Sequence, residues 1–139
     1  MPELVVMVGL PGSGKSTVVA ERFAGTHAVV SKDHWPNARR REARQARVVG
    51  ELLAEGRDVV VDNTNVSRDV RAPLLALAAE RGATARAVYV ATPVRECIAR
   101  NARRVGRTQV PVPAILGMAK RLVPPSVEEG FAAVEEVAP

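Results

Sequence analysis

Aromatic residues are almost absent from this sequence. Phe23, Trp35, Tyr89 and Phe131 are the only ones in 139 residues, so a core has to be built from Val, Leu, Ile and Ala. The single cysteine, Cys97, excludes an internal disulfide, and no Cys/His cluster of the kind that holds zinc is present. Both absences point to a reducing, cytoplasmic setting. No apolar run approaches the roughly 20 residues that span a bilayer, so no membrane partner is expected. The N-terminal MPELVVMVGL is apolar but its first charge is an acid, not a basic segment, which argues against a secretory signal. Internal repeats, low-complexity stretches and linkers are also lacking, and the length is that of one domain, residues 1–139. The remaining composition, 47% hydrophobic and 25% charged, is that of a globular chain and excludes extended disorder and collagen-like structure.

Lysine is scarce as well. Three lysines stand beside seventeen arginines, the net charge is +5, and the pI is near 10.3. Residues 1–127 hold all twenty bases and only eleven of the fifteen acids. Arginine suits bidentate contact with phosphate better than lysine does, so a polyanionic ligand is one reading of this surplus. A coding bias that inflates both Arg and Ala is the other.

Strand-like valine runs alternate with helix-like segments. Strands are expected at Glu3–Val8, Ala28–Val30, Asp58–Asp62, Ala85–Val90 and Phe131–Val137. Helices are expected at Lys15–Phe23, from Pro36 to about Glu55, from a Ser67 or Asp69 cap to about Arg81, and at Pro93–Arg104 and Pro113–Leu122. Pro73 predicts a kink or a late start in the third of these. Alternating β and α segments with continuous Val runs predict an α/β fold: three layers, α/β/α, around a mostly parallel sheet of four to five strands.

Gly9-Leu10-Pro11-Gly12-Ser13-Gly14-Lys15-Ser16 fits G-x-x-x-x-G-K-[ST], with an apolar strand before it and a helix after. Glycines let the backbone N–H groups turn inward onto phosphate oxygens, and the following helix adds its positive end. Lys15 would reach the β- and γ-phosphates and the Ser16 hydroxyl a Mg²⁺ ion, so a nucleoside triphosphate with Mg²⁺ is the expected ligand.

In a parallel sheet, ligands sit beyond the carboxyl ends of the strands. Asp33 and Asp62 both fall there. Asp62 reads either as a turn residue or as an acid that holds Mg²⁺ or its waters. Asp33 reads either as a helix cap before Pro36 or as a general base accepting the proton of an attacking hydroxyl. Trp35 is either a hydrophobic anchor or a surface on which a base stacks. Two arginine stripes follow. Arg40, Arg44 and Arg47 stand at i, i+4 and i+7, and Arg100, Arg103, Arg104 and Arg107 at i, i+3, i+4 and i+7. Each is a solvated face or an anion contact. The second lies beside Val105-Gly106 and describes a lid, about residues 100–112, able to close over a nucleotide.

Gly9–Thr17, Ser31-Lys32-Asp33, Asp62-Asn63-Thr64-Asn65 and Arg100-Asn101-Ala102-Arg103-Arg104 before Val110-Pro111 occur in one order and spacing. Together they resemble the 5′-hydroxyl polynucleotide kinase family, and Pro125–Phe131 is similar to that family's end. The resemblance runs over roughly residues 5–135 and implies a P-loop kinase fold and ATP-dependent transfer to the 5′-OH of DNA or RNA. It implies nucleotide contacts from Gly9, Pro11, Gly12, Ser13, Gly14, Lys15, Ser16, Thr17 and Arg100, and Mg²⁺ contacts from Ser16 and Asp62. Asp33 matches the base, Arg104 or Arg103 the lid arginine on the transferring phosphate, and Asn63 and Asn65 the acceptor pocket. Phage members carry an arginine three residues after the base; here that position is Pro36, for which Asn37, Arg39 or Arg40 would substitute. With Arg40, Arg44 and Trp35, Asn37 completes the expected acceptor contacts. No D-x-D-G-T phosphatase motif occurs. A small-molecule kinase and an ATP-dependent switch are the competing functions.

Overall fold

The valine runs are apolar on both faces, and the sheet they form is covered on both. The structure, a computed structural model, describes residues 1–36 and 39–138, with Arg107 by its backbone alone. Strands β1 (Glu3–Val8), β2 (Ala28–Val30), β3 (Val59–Val61), β4 (Thr84–Val90) and β5 (Ala133–Val137) form one parallel sheet in the order β2-β3-β1-β4-β5. Register is pinned by β1, whose Leu4 lies opposite Val59 on one side and Ala85 on the other. Alternation then sorts the side chains. Leu4, Val6, Val8, Val59, Val61, Ala85 and Ala87 meet Val49 and Leu53 of α2 (Arg41–Ala54) and Leu74 and Ala78 of α3 (Arg68–Glu80). Val5, Met7, Val60, Val88 and Val90 face the other way, onto Val18 and Val19 of α1 (Lys15–Arg22) and Phe23. The result is the expected three-layer α/β/α fold. A smaller apolar cluster joins Leu10 and Val66 to Cys97 of α4 (Val94–Asn101) and to Met118 and Ala119 of α5 (Val112–Arg121). It seats these two helices against the loops that leave β1 and β3.

The strands stand where the valine runs place them, while several helix ends do not. Helix α2 begins at Arg41, not Pro36, because Arg40 adopts a left-handed φ of 55°. Arg40 is therefore off the helix, and the first stripe is reduced to Arg44 and Arg47. Helix α4 stops at Asn101, three residues early. Of the second stripe only Arg100 lies in α4; Arg103 and Arg104 lie beyond its end, before a single 3-10 turn, Gly106–Thr108, that includes Arg107. Pro73 neither delays nor ends α3, which starts at Arg68 with the Ser67 hydroxyl accepting from the Val70 N–H (3.3 Å) and continues to Glu80. Phe131 belongs to the core and precedes β5. Among the described residues no helix is long and apolar enough to cross a membrane.

Candidate active site

The turn after β1 is shaped by glycines that nothing else could replace. Gly12 has φ 82° and Gly14 φ 101°, and a Cβ on Gly12 would lie 2.4 Å from the Cys97 carbonyl oxygen. The loop is thus pressed against α4 while its backbone curls into a cradle. A Cβ on Gly9 would meet the Ser13 hydroxyl at 2.7 Å. That hydroxyl is buried and, among the described residues, is the one buried side-chain polar atom with no hydrogen-bond partner. Thr92 Oγ1 donates to the Ser13 carbonyl (2.7 Å), fixing the loop from below. Gly14 leads directly into α1, whose first-turn N–H groups have no partner within the helix. Pro11 is buried, and Thr17 is exposed on that first turn.

Lys15 curls back over the loop, its Nζ donating to the Leu10 carbonyl (2.9 Å). Burial pulls the ammonium from its ordinary 10.5 down to about 8. The positive charge of Arg104 pulls the same way, while Asp62, Cys97 and Asp33 oppose it. Asp33, Asp62 and Arg104 are thus each within electrostatic reach of Lys15. Ser16 Oγ donates to Asp62 Oδ2 at 3.0 Å. Two hard oxygens beside a phosphate cradle suit Mg²⁺, which takes one or two protein oxygens and completes its shell from phosphates and water. Among the described residues no group of three or more acids, histidines or cysteines forms a metal cage. The buried, unpaired Ser13 hydroxyl and the glycine cradle likewise fit a polyphosphate.

Asp33 sits in the single turn Lys32–His34, where its N–H donates to the Ser31 hydroxyl (3.1 Å). Its carboxylate is exposed and makes no hydrogen bond among the described residues. The residues expected to line an acceptor pocket behave differently. Asn63 Oδ1 accepts from the Lys32 N–H (3.1 Å) and the Ser31 hydroxyl (3.3 Å), while its Nδ2 donates to Gln45 Oε1 (2.6 Å). Its amide ties the Asp33 turn to β3 and α2. Asn65 is buried, with φ 44°, and donates from Nδ2 to the Met7 carbonyl (2.8 Å) and the Asn63 carbonyl (3.3 Å). Asn65 thus braces the loop, and it also borders a groove shared with Gln45, Asp69 and Leu74. Trp35 packs on the core, and the Arg44 guanidinium lies 4.7 Å over its ring, so that face is not open to a base. Arg40 is exposed, Arg100 pairs with Glu96 (3.3 Å), and Arg104 Nη1 donates to the Thr108 carbonyl (3.3 Å). Asn37 lies outside the described residues.

Two contributors escaped the sequence reading. Arg71 is fully buried and holds Glu129 through both carboxylate oxygens (2.8 and 2.9 Å) while donating to the Asn65 carbonyl (2.9 Å). Its signal was the Ser126-x-x-Glu129 capping box, which marks the segment that supplies the acid. Asn101 is the other. Both of its amide atoms bind the Val110 backbone.

Residues 4–125 match the profile of a family described as an AAA domain. The chain belongs to this AAA-domain family. Over 97% of its length it is 30% identical to the bifunctional polynucleotide phosphatase/kinase of Schizosaccharomyces pombe. It spans about a third of that relative's length. Among solved structures it resembles the Mycobacterium tuberculosis APS kinase CysC in complex with AMPPNP and APS, with TM-score 0.65 and 22% identity over 99% of this chain and 88% of that one. It also resembles a fungal RNA kinase, with TM-score 0.66 and 16% identity over 98% and 74%. The fold is that of the P-loop kinases.

Proposed function

We propose that this chain is a phosphotransferase that moves the γ-phosphate of ATP onto the 5′-hydroxyl of DNA or RNA. The Ser16–Asp62 contact on the phosphate loop, and the field of Asp33 and Arg104 at Lys15, carry the reading. The loop N–H groups and Lys15 bind the β- and γ-phosphates. Arg104, with Arg103 beside it, faces charge that develops on the transferring group. Asp33 accepts the proton of the attacking hydroxyl, for which an exposed carboxylate with no hydrogen bond among the described residues is suited. Ser16 and Asp62 would hold Mg²⁺, which when bound supplies charge neutralisation between the phosphates.

Two features support a nucleic-acid acceptor. One is the polynucleotide phosphatase/kinase of S. pombe. The other is a set of exposed arginines, Arg40, Arg44 and Arg47, that make no ion pair among the described residues. A small-molecule acceptor is the second reading, favoured by Pro36 where phage polynucleotide kinases carry arginine and by the fold shared with the APS kinase. Oligonucleotide affinity measured against salt tests the choice. Each neutralised single-strand phosphate adds roughly −0.7 to the slope of log K against log salt. Changing Arg40, Arg44 and Arg47 to Gln should flatten that slope and leave ATP affinity intact. An unchanged slope returns the arginines to a solvated face, and absent oligonucleotide binding favours the small-molecule acceptor.

A further inference from the structure

The arginines past α4 lie on a loop with little packing of its own. Residues 102–106 and 108–109 are exposed, and Val105 is 84% exposed. Inside the loop the Arg104–Thr108 contact and a Thr108 hydroxyl donating to the Val105 carbonyl (2.7 Å) close it on itself. Neither attaches it to the domain. Beside the backbone bonds from the Arg103 and Arg104 N–H groups to the Arg100 and Asn101 carbonyls (3.2 and 3.0 Å), one side chain among the described residues does. Asn101, only 2% exposed, donates from Nδ2 to the Val110 carbonyl (2.6 Å) and accepts on Oδ1 from the Val110 N–H (2.8 Å). The amide thus pairs with Val110 as a neighbouring strand would, and draws the two ends of the loop together. Its own end is anchored, since α4 abuts the phosphate loop where a Cβ on Gly12 would lie 2.4 Å from the Cys97 carbonyl and 3.4 Å from the Asn101 nitrogen.

We infer that Asn101 is a positioning residue that clasps the arginine loop beside the phosphate loop and so fixes where Arg104 stands. The inference rests on the phosphotransferase reading for its catalytic consequence, but not for the clasp itself. An aspartate keeps the acceptor and presents a second oxygen to the Val110 carbonyl; an alanine removes both bonds. Two buried hydrogen bonds of ordinary strength are worth a tenfold or greater change in how often such a loop opens.

The test has two arms. Limited trypsin digestion reads the clasp, because cleavage after Arg103 and Arg104 needs the loop to open. Asn101→Ala should be cut there at least tenfold faster than the parent chain, with an unchanged circular dichroism spectrum. Val110→Pro, which deletes the N–H and sets its ring against Asn101 Oδ1, breaks the clasp from the other side and should also speed cleavage. Equal cleavage rates for the parent chain and both variants would overturn the clasp. The second arm is phosphoryl transfer. Arg104→Ala should slow kcat strongly in the parent chain and little further in Asn101→Ala, with KM for ATP changed less than kcat. Additive losses would show that Asn101 acts without Arg104 and overturn the positioning role. A parent chain that phosphorylates no acceptor would remove the phosphotransferase reading and the catalytic role with it, while the digestion arm still decides the clasp.

Discussion

Replacing Glu129 by Gln should unfold the link between the C-terminal segment and the Asp62–Asn65 loop. Arg71 is fully buried and the Glu129 side chain is only 4% exposed. The guanidinium makes two bonds to the carboxylate and one to the Asn65 carbonyl, and the Ser126 N–H donates to Glu129 Oε2 (3.0 Å). Removing one partner of such a buried pair leaves an uncompensated charge and costs about 3–5 kcal/mol. That is a large part of the ~5–15 kcal/mol that stabilises a typical domain. Replacing both, as Arg71→Met with Glu129→Leu, removes the stranded charge. The residual cost should then be about 1–3 kcal/mol, chiefly for the Asn65 carbonyl left without its donor. The double variant is therefore expected to be more stable than Glu129→Gln alone. Acid adds a second readout. Burial alone would raise the Glu129 carboxyl, but the Arg71 and Ser126 hydrogen bonds and the nearby Arg68 outweigh it and hold it below its ordinary 4.5. Its contribution is then present above about pH 4.5 and is lost as pH falls through the lower, folded value. Urea unfolding followed by circular dichroism, at pH 7 and across the acid range, measures both. A Glu129→Gln cost under about 1 kcal/mol, or parallel acid limbs for the parent and the variant, would refute the reasoning.

Asp33→Asn should leave ATP affinity within a few-fold while transfer falls about 10²–10⁴-fold, the span of a general base; lost affinity with normal turnover would assign Asp33 to the metal or to structure. Asp62→Ala should raise the Mg²⁺ concentration needed for half-maximal transfer, since Ser16 keeps only one of the two oxygens; an unchanged Mg²⁺ titration would contradict that pairing. Gly12→Ala should abolish nucleotide binding, because the new Cβ meets backbone at 2.4 Å in a left-handed conformation; normal binding in a calorimetric titration would contradict the geometry.

The central strands β1 and β3 were legible because their valine runs are short, apolar on both faces and bounded by glycine or an acid. The phosphate loop was legible because its glycines and Lys15 stand at spacings that backbone geometry demands. Helix ends were less so. Nothing local in the sequence announces that Arg40 turns left-handed, or that α4 yields its last turn to the Asn101–Val110 pairing nine residues on. The same holds for the asparagines after β3. Their type suits a pocket, but long-range partners at Lys32, Gln45 and Met7 engage the Asn63 and Asn65 amides in the scaffold. Nothing beside Arg71 in the sequence marks it as buried, and the fold brings Glu129 to it across 58 residues.

Transfer of label from γ-labelled ATP is the most direct test of the proposed activity. The chain is incubated with Mg²⁺ and 5′-OH DNA and RNA oligonucleotides, with Lys15→Ala and Asp33→Asn as controls. Label is expected at the 5′ end of an oligonucleotide with the parent chain, none with Lys15→Ala, and about 10²–10⁴-fold less with Asp33→Asn. No labelled oligonucleotide from a folded parent chain that binds ATP, or undiminished labelling by Lys15→Ala, would contradict the proposal.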